Sequence, residues 1–246
     1  MLKEVKNINY YQNLYMDLFL PEQEQFFTIV YFHGGGLVEG DKGDSHQFVK
    51  RLVKLGFAVS TANYSLITEK RFPECVKNAA RAIKFINDNI NQYGKSKGII
   101  VMGQSAGAYL TLMLCLNKEY LSELGINNDE IVGWISDAGQ PTTHFNILKY
   151  ERGLDPLLQR IDEAAPLYFV NQDTNFSHLL LITYENDLPN RFEQNQLLLK
   201  TIKTFNEKAD VELKILKGEH CQGSGQLDED NEYGVVKLVK EWMKRL

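Results

Sequence analysis

The chain has 246 residues, 43% of them hydrophobic and 24% charged, with a formal net charge of −5: enough for one sizeable core, and the composition of a folded globular protein. Lys and Arg are scattered, so neither net charge nor a basic stripe gives an electrostatic reason to expect nucleic acid. No apolar run approaches membrane-spanning length, and residues 1–20 carry charges and amides through what would be a signal peptide's apolar centre. Three widely spaced cysteines, Cys75, Cys115 and Cys221, with no C-x-x-C, argue against a disulfide framework or structural zinc. The expectation is a cytoplasmic protein with one domain over residues 1–246.

Residues 3–9 and 14–19 read as two strands of an antiparallel edge, with Leu14, Met16, Leu18 and Leu20 alternating before Pro21. Phe26 to Phe32 is a continuous aromatic and β-branched run, the pattern of a strand covered on both faces, and it enters His33-Gly34-Gly35-Gly36 directly. Asp44 and Gln47 have capping-box spacing before a helical stripe of Phe48, Leu52, Val53 and Leu55 that Gly56 stops. A strand over 57–63 follows. Pro73 suits a first helical position, and Val76, Ala79, Ala80, Ile83, Ile86, Ile90 and Tyr93 keep a helical period up to Gly94.

Gly98 to Met102 then reads as a strand that turns through Gly103-Gln104-Ser105-Ala106-Gly107 into a helix over 106–116, apolar almost all round and so expected to be buried. Ile131 to Ile135 is a short buried strand ending in Ser136-Asp137. From 138 to 175 the pattern loosens, with Pro141, Pro156 and Pro166 among Phe145, Tyr150, Tyr168 and Phe169, which predicts a small cap insertion. Leu179 to Tyr184 is the next buried strand. Asn190 and Glu193 repeat the capping-box spacing before a helix carrying Leu197, Leu198, Ile202 and Phe205. Val211 to Leu216, a loop over 218–225 and a closing helix over 233–246, packed through Val235, Val236, Val239, Trp242 and Met243, complete the chain. The alternation predicts an α/β fold: a mostly parallel sheet with helices on both faces.

Ser105 lies on a strand-to-helix turn that pushes its hydroxyl out of the sheet, and glycines at 103 and 107 leave room for that turn. A serine nucleophile needs a base, a group that orients the base, and donors for the oxyanion. Only His178 and His220 come late enough in the chain, and His178 precedes its strand, at the wrong end of a parallel sheet. His220 follows the last strand. His46 is expected on a surface helix, His144 in the cap, and His33 as a shaper of the glycine loop. Cys221 beside His220 reads as a loop thiol, because neighbours in an extended loop point apart. The orienting acid fits Asp187 best, three residues past Leu179–Tyr184, with Glu185 and Asp137 as alternatives. The N–H groups of Gly35, Gly36 and Ala106 are the expected oxyanion donors. These parts need no metal and no organic cofactor.

Taken together, Tyr31 to Lys42 (YFHGGGLVEGDK), Gly56 to Tyr64 (GFAVSTANY), Arg71-Phe72-Pro73, Gly103 to Leu110 (GQSAGAYL), Asp187 and His220 resemble α/β-hydrolases of the HGGG class. The resemblance is to small esterases similar to bacterial feruloyl or acetyl esterases and kynurenine formamidases. It implies an eight-stranded sheet, a Ser105, Asp187, His220 triad and cofactor-free hydrolysis of a small soluble ester with a short acyl, acetyl or aryl group. An arylformamidase acting on N-formylkynurenine, or a non-catalytic fold of this type that binds a small ligand, is the alternative. Leu37, Ser65, Leu188 and Cys221-Gln222 stand where the subgroup often has Trp, Arg, Pro and small or aromatic residues, departures that touch pocket walls and loops. Nothing in the sequence speaks to oligomeric state.

Overall fold

The computed structural model describes residues 3–127 and 130–245. The first half runs through β1 (Lys3–Tyr11), β2 (Leu14–Leu20), β3 (Gln25–Phe32), α1 (His46–Lys54), β4 (Ala58–Ala62), α2 (Glu74–Asn89), β5 (Lys95–Gln104) and α3 (Ala106–Leu116). It continues through α4 (Glu119–Ser122), β6 (Ile131–Asp137), β7 (Leu179–Asn186), α5 (Arg191–Phe205), β8 (Val211–Glu219), α6 (Gln222–Gly225) and α7 (Gly234–Trp242). The strands form one eight-stranded sheet in the order β1-β2-β4-β3-β5-β6-β7-β8. The pairs β1 with β2 and β2 with β4 are antiparallel, and all the others are parallel.

Period-two alternation divides the core between the two faces of this sheet. On β3, Val30 and Phe32 join the apolar cluster shared with α2, α3 and α5, while Ile29 and Tyr31 join the one shared with α1 and α7. All residues of α3 are buried. Its continuous apolar surface is accounted for on the far side as well, where Tyr109 Oη donates to Ala164 O at 2.7 Å and ties the helix to the segment that follows β6. The closing helix lies against β6 so tightly that a Cβ on Gly133 would come 2.2 Å from Trp242.

Several local expectations change. Neither capping box forms: Asp44 Oδ2 accepts the Asp41 N–H at 2.8 Å, and α1 starts at His46. Asn190 takes a left-handed conformation, φ 63, without a side-chain cap bond. Pro73 precedes α2 rather than opening it. On α5, Leu197 and Phe205 are exposed, and the buried face holds Arg191, Gln194 and Asn195 beside Leu198 and Ile202. Those polar groups serve backbone oxygens that the irregular chain after β6 leaves open: Asn195 Nδ2 donates to Gly139 O at 2.9 Å and Arg191 Nη1 to Ala138 O at 2.7 Å. The last turn of the closing helix is Met243–Arg245, and Leu246 lies outside the described residues.

Residues 138–175 contain two short helical turns, Ile147–Glu151 and Pro166–Phe169. Asp162 gathers this segment: its carboxylate accepts from Thr143 Oγ1 (2.8 Å), the Ala164 N–H (3.0 Å), Arg160 Nε (2.6 Å) and Arg152 Nη1. Burial works against that charge, but these bonds outweigh it and hold the carboxyl down to about 2.

Close approach at the centre of the sheet sets the expectation for two glycine variants. Gly107→Ala places a Cβ 2.1 Å from the Phe32 carbonyl oxygen, backbone against backbone, and is expected to cost about 3 kcal/mol or more. Gly125→Ala meets nothing within 4 Å and is expected to cost about 1 kcal/mol, for its left-handed backbone alone. Urea unfolding of the two variants side by side measures the difference.

Candidate active site

Because β5 ends at Gln104 and α3 begins at Ala106, Ser105 makes the turn alone, at φ 51 and ψ −109. A non-glycine residue at positive φ is strained and persists where its surroundings dictate it. Here the Ser105 N–H donates to Asp137 O at 2.7 Å, and a Cβ on Gly103 would stand 2.2 Å from the Gly107 carbonyl carbon, so no larger residue fits either flank.

The imidazole arrives from the other side of the rim. His220 directly follows β8, and Cys221, at φ 59, turns the chain back into α6. His220 Nε2 lies 2.8 Å from Ser105 Oγ, and Nδ1 lies 2.5 Å from Asp187 Oδ1. An ionised carboxylate only accepts, so Nδ1–H donates to Asp187 and leaves the Nε2 lone pair facing the serine hydroxyl. Asp187 is in turn fixed by the Tyr184 N–H on Oδ2 (3.2 Å) and by the Leu188 N–H on Oδ1 (2.8 Å), with its side chain 2% exposed.

The two alternative acids lie elsewhere. Glu185 is exposed on the end of β7. Asp137 is fully buried: Oδ1 accepts from Tyr184 Oη at 2.7 Å, Oδ2 accepts from Ser224 Oγ, and Ser224 Oγ accepts from Gln104 Nε2 at 2.8 Å. Burial pushes the Asp137 carboxyl up to about 6 in spite of the two hydroxyl bonds, which lower it. Sequence reasoning picks out Asp137 as an alternative acid and Gln104 as part of the elbow motif, but misses the network that joins them through Ser224 and Tyr184.

The glycine loop lies alongside. A Cβ on Gly34 would be 3.5 Å from Ser105 Cβ. Gly35, at φ +104, passes so close to Glu39 that a Cβ would fall 2.1 Å from Glu39 O, and Asn146 Nδ2 donates to Gly36 O at 2.8 Å. His33 braces the loop: its Nδ1 lies 2.7 Å from Gly34 O, its ring stacks on Tyr64 at 4.4 Å, and Tyr64 Oη donates to His33 O at 2.9 Å. Ala106 opens α3, so its N–H is among those a helix start leaves without an intrahelical acceptor.

The remaining histidines are occupied away from Ser105. His46 Nε2 sits 3.1 Å from Asp17, His144 is buried between Tyr109 and Phe145, and His178 pairs with Asp210 at the opposite end of the strands. All three cysteines are buried and free, and burial raises the Cys221 thiol well above its ordinary range, which keeps it un-ionised. Among the described residues, no cluster of three or more His, Cys, Asp and Glu side chains could hold a metal ion. Beside a cavity of about 390 Å³ bounded by Tyr184, Asp187, Leu188 and Pro189, two more open at this rim. One of about 550 Å³ is bounded by Gly34, Gly35, Gln104 and Ser224. The other, of about 250 Å³, is bounded by Phe145, Leu157, Leu188, Pro189 and Arg191. Tyr150 and Tyr168 point to solvent, at 54% and 58% exposure.

Comparison with known proteins matches residues 16–137 to the family described as BD-FAE. The chain is 31% identical over 165 residues to esterase LipI of Mycobacterium tuberculosis, covering 64% of this chain and 45% of that protein. It is 29% identical over 102 residues to an acetyl esterase of Salmonella paratyphi B, covering 40% of this chain and 31% of that one. The chain thus spans less than half the length of these curated relatives. Among solved structures, esterase B from Lactobacillus Rhamnosis superposes with a TM-score of 0.80 at 14% identity, over 99% of this chain and 85% of that one.

Asp137 carries a pH signature that a non-titrating variant isolates. In the folded chain its proton leaves near pH 6, against 3.8 ordinarily, so between those values the folded state holds more protons than the unfolded. The stability this group confers is therefore complete below about pH 4 and lost as pH rises through 6. Relative to Asp137→Asn, the wild type is expected to lose up to about 3 kcal/mol between pH 4 and pH 7, read from urea midpoints at each pH.

Proposed function

We propose, for a chain that has the α/β-hydrolase fold and resembles small bacterial carboxylesterases, that it is a serine esterase working through Ser105, His220 and Asp187. One observation carries the reading: an unbroken line of hydrogen bonds from Asp187 through the imidazole to the Ser105 hydroxyl, at the carboxyl ends of the strands. His220 Nε2 takes the hydroxyl proton as Ser105 Oγ attacks the ester carbonyl carbon. Asp187 holds the tautomer and stabilises the imidazolium.

The negative charge that develops on the carbonyl oxygen falls to the N–H groups of Gly35, Gly36 and Ala106. When the tetrahedral intermediate collapses, His220 gives its proton to the departing alcohol and leaves an acyl group on Ser105. A water, deprotonated by the same imidazole, then releases the carboxylic acid. Neither step asks for a metal or an organic cofactor.

The substrate class is a small ester with a short acyl, acetyl or aryl group, a reading supported by the naming of one relative as an acetyl esterase and by a rim cavity of about 250 Å³. Residues 138–175 act as a cap over that rim, anchored to the glycine loop by Asn146 and to α3 through Ala164. A cytoplasmic location belongs to the same proposal. Among the described residues, no helix is long and apolar enough to cross a membrane.

The test is covalent and kinetic. An alkyl fluorophosphonate is expected to add one adduct, at Ser105. Ser105→Ala is expected to cut turnover of 4-nitrophenyl acetate by at least about 10⁴-fold, with the melting temperature unchanged. Asp187→Asn, which spoils the tautomer and not the packing, is expected to lose about 10⁴-fold in kcat. Retained turnover in Ser105→Ala refutes the proposal, and a folded protein that neither reacts with the phosphonate nor hydrolyses esters is a ligand-binding fold instead.

A further inference from the structure

Arg191 is a buried cation that the reaction above leaves unused. Only 3% of it is exposed, and its guanidinium donates to two neutral oxygens, Ala138 O at 2.7 Å and Gln140 Oε1 at 3.3 Å. It has no ion-pair partner among the described residues, and its Nε is buried without an acceptor. Beside it, Gln194 Oε1 is buried without a donor. The placement is unfavourable a third time, because Arg191 opens α5, where the helix dipole opposes a positive charge. Burial pushes the guanidinium down to about 10, with Asp187 acting the other way across a distance longer than an ion pair. A neutral donor would satisfy Ala138 O without these costs, so the charge has no structural task in the chain by itself.

The cavity it faces gives the charge a task. Of about 250 Å³, it is walled by Phe145, Leu157, Leu188, Pro189 and Gln194, and Arg191 is the one charged residue in its lining. It lies between the two halves of the candidate site. Leu188 follows Asp187, and the Phe145 ring comes 3.7 Å from where a Cβ on Gly36 would stand. A carboxylate entering this largely apolar space, whose lining also includes Gln140 and Gln159, meets a guanidinium without an ion pair among the described residues and forms a charge-assisted bond with it. An alkyl group of the same size leaves that cation as it was.

We propose that the substrate is an ester bearing a carboxylate, and that Arg191 is the specificity residue that receives it in this cavity. The proposal rests on the esterase reading. The carboxylate belongs either to the acyl half, as in a half-ester of a dicarboxylic acid, or to the alcohol half, as in an ester of a hydroxy acid.

Two matched pairs separate the halves: 4-nitrophenyl hydrogen adipate against 4-nitrophenyl hexanoate, and 3-acetoxybenzoate against 3-acetoxytoluene. The readout is the anionic-to-neutral ratio of kcat/KM within each pair. The wild type is expected to favour the anionic member of one pair by at least about tenfold, through KM. Arg191→Met is expected to bring that ratio to about one, and Arg191→Lys to restore part of it, since its charge stays but its planar fork does not. Leu157 is 69% exposed, so Leu157→Glu leaves the fold intact and is expected to lower the same ratio by repulsion. A ratio near one for both pairs in the wild type overturns the proposal while leaving the esterase reading in place. So does an Arg191→Met variant that slows both members equally, which would mark Arg191 as support for Asp187. Absence of both ester turnover and phosphonate labelling overturns the two readings together.

Discussion

The strained turn at Ser105 is the constraint around which the rim of the sheet is built. A residue at φ 51 between a strand and a helix stays there because its N–H is held by Asp137 O and because glycines at 103 and 107 let the helix close on the strand. The residue that grips Ser105 through its backbone uses its side chain for two other segments, taking Ser224 from α6 after His220 and Tyr184 from the strand before Asp187. One buried residue thus registers the three segments that bring a hydroxyl, an imidazole and a carboxylate together. Its charge is costly to bury and makes no ion pair among the described residues, so the hydroxyl bonds are what make its place tenable.

The sheet serves as a platform because both of its faces are filled. Alternate residues of β3 feed two separate apolar clusters, and α3, which the turn at Ser105 enters directly, is enclosed on every side. A nucleophile candidate mounted on the most buried helix has little freedom to wander. The irregular segments, the glycine loop and residues 138–175, are held by polar bonds: Tyr64 and Asn146 on the former, Asp162 on the latter.

What the sequence made legible was whatever depends on local backbone geometry. The apolar runs at 26–32 and 179–184, the all-round apolar helix at 106–116 and the glycine-bounded turn at Ser105 each announce themselves within a few residues, because strand period, helix period and steric room are local properties. Convergence between distant segments was harder. Spacing favours Asp187 but leaves Glu185 and Asp137 open as acids, and it takes strand direction and the fold of the β7 loop to put Asp187 against His220, Asp137 in the interior and Glu185 in solvent. The capping-box spacings misled because Asp44 had a closer partner in its own turn. The buried face of α5 was invisible for a related reason: Arg191 and Asn195 look like surface residues until the carbonyls of Ala138 and Gly139, which need donors, are brought beneath them.

The Asp162 clamp separates the mouth of the smaller cavity from the rest of the molecule. Residues 153–161 lie between Arg152 and Asp162, mostly exposed, and the two arginines that fasten this tip both end on the one carboxylate. The tip is therefore modular. It can be exchanged for another stretch of equal length that keeps those anchors, recutting the entrance while every strand and both apolar clusters retain their residues, which makes this fold a practical scaffold for redesigned selectivity.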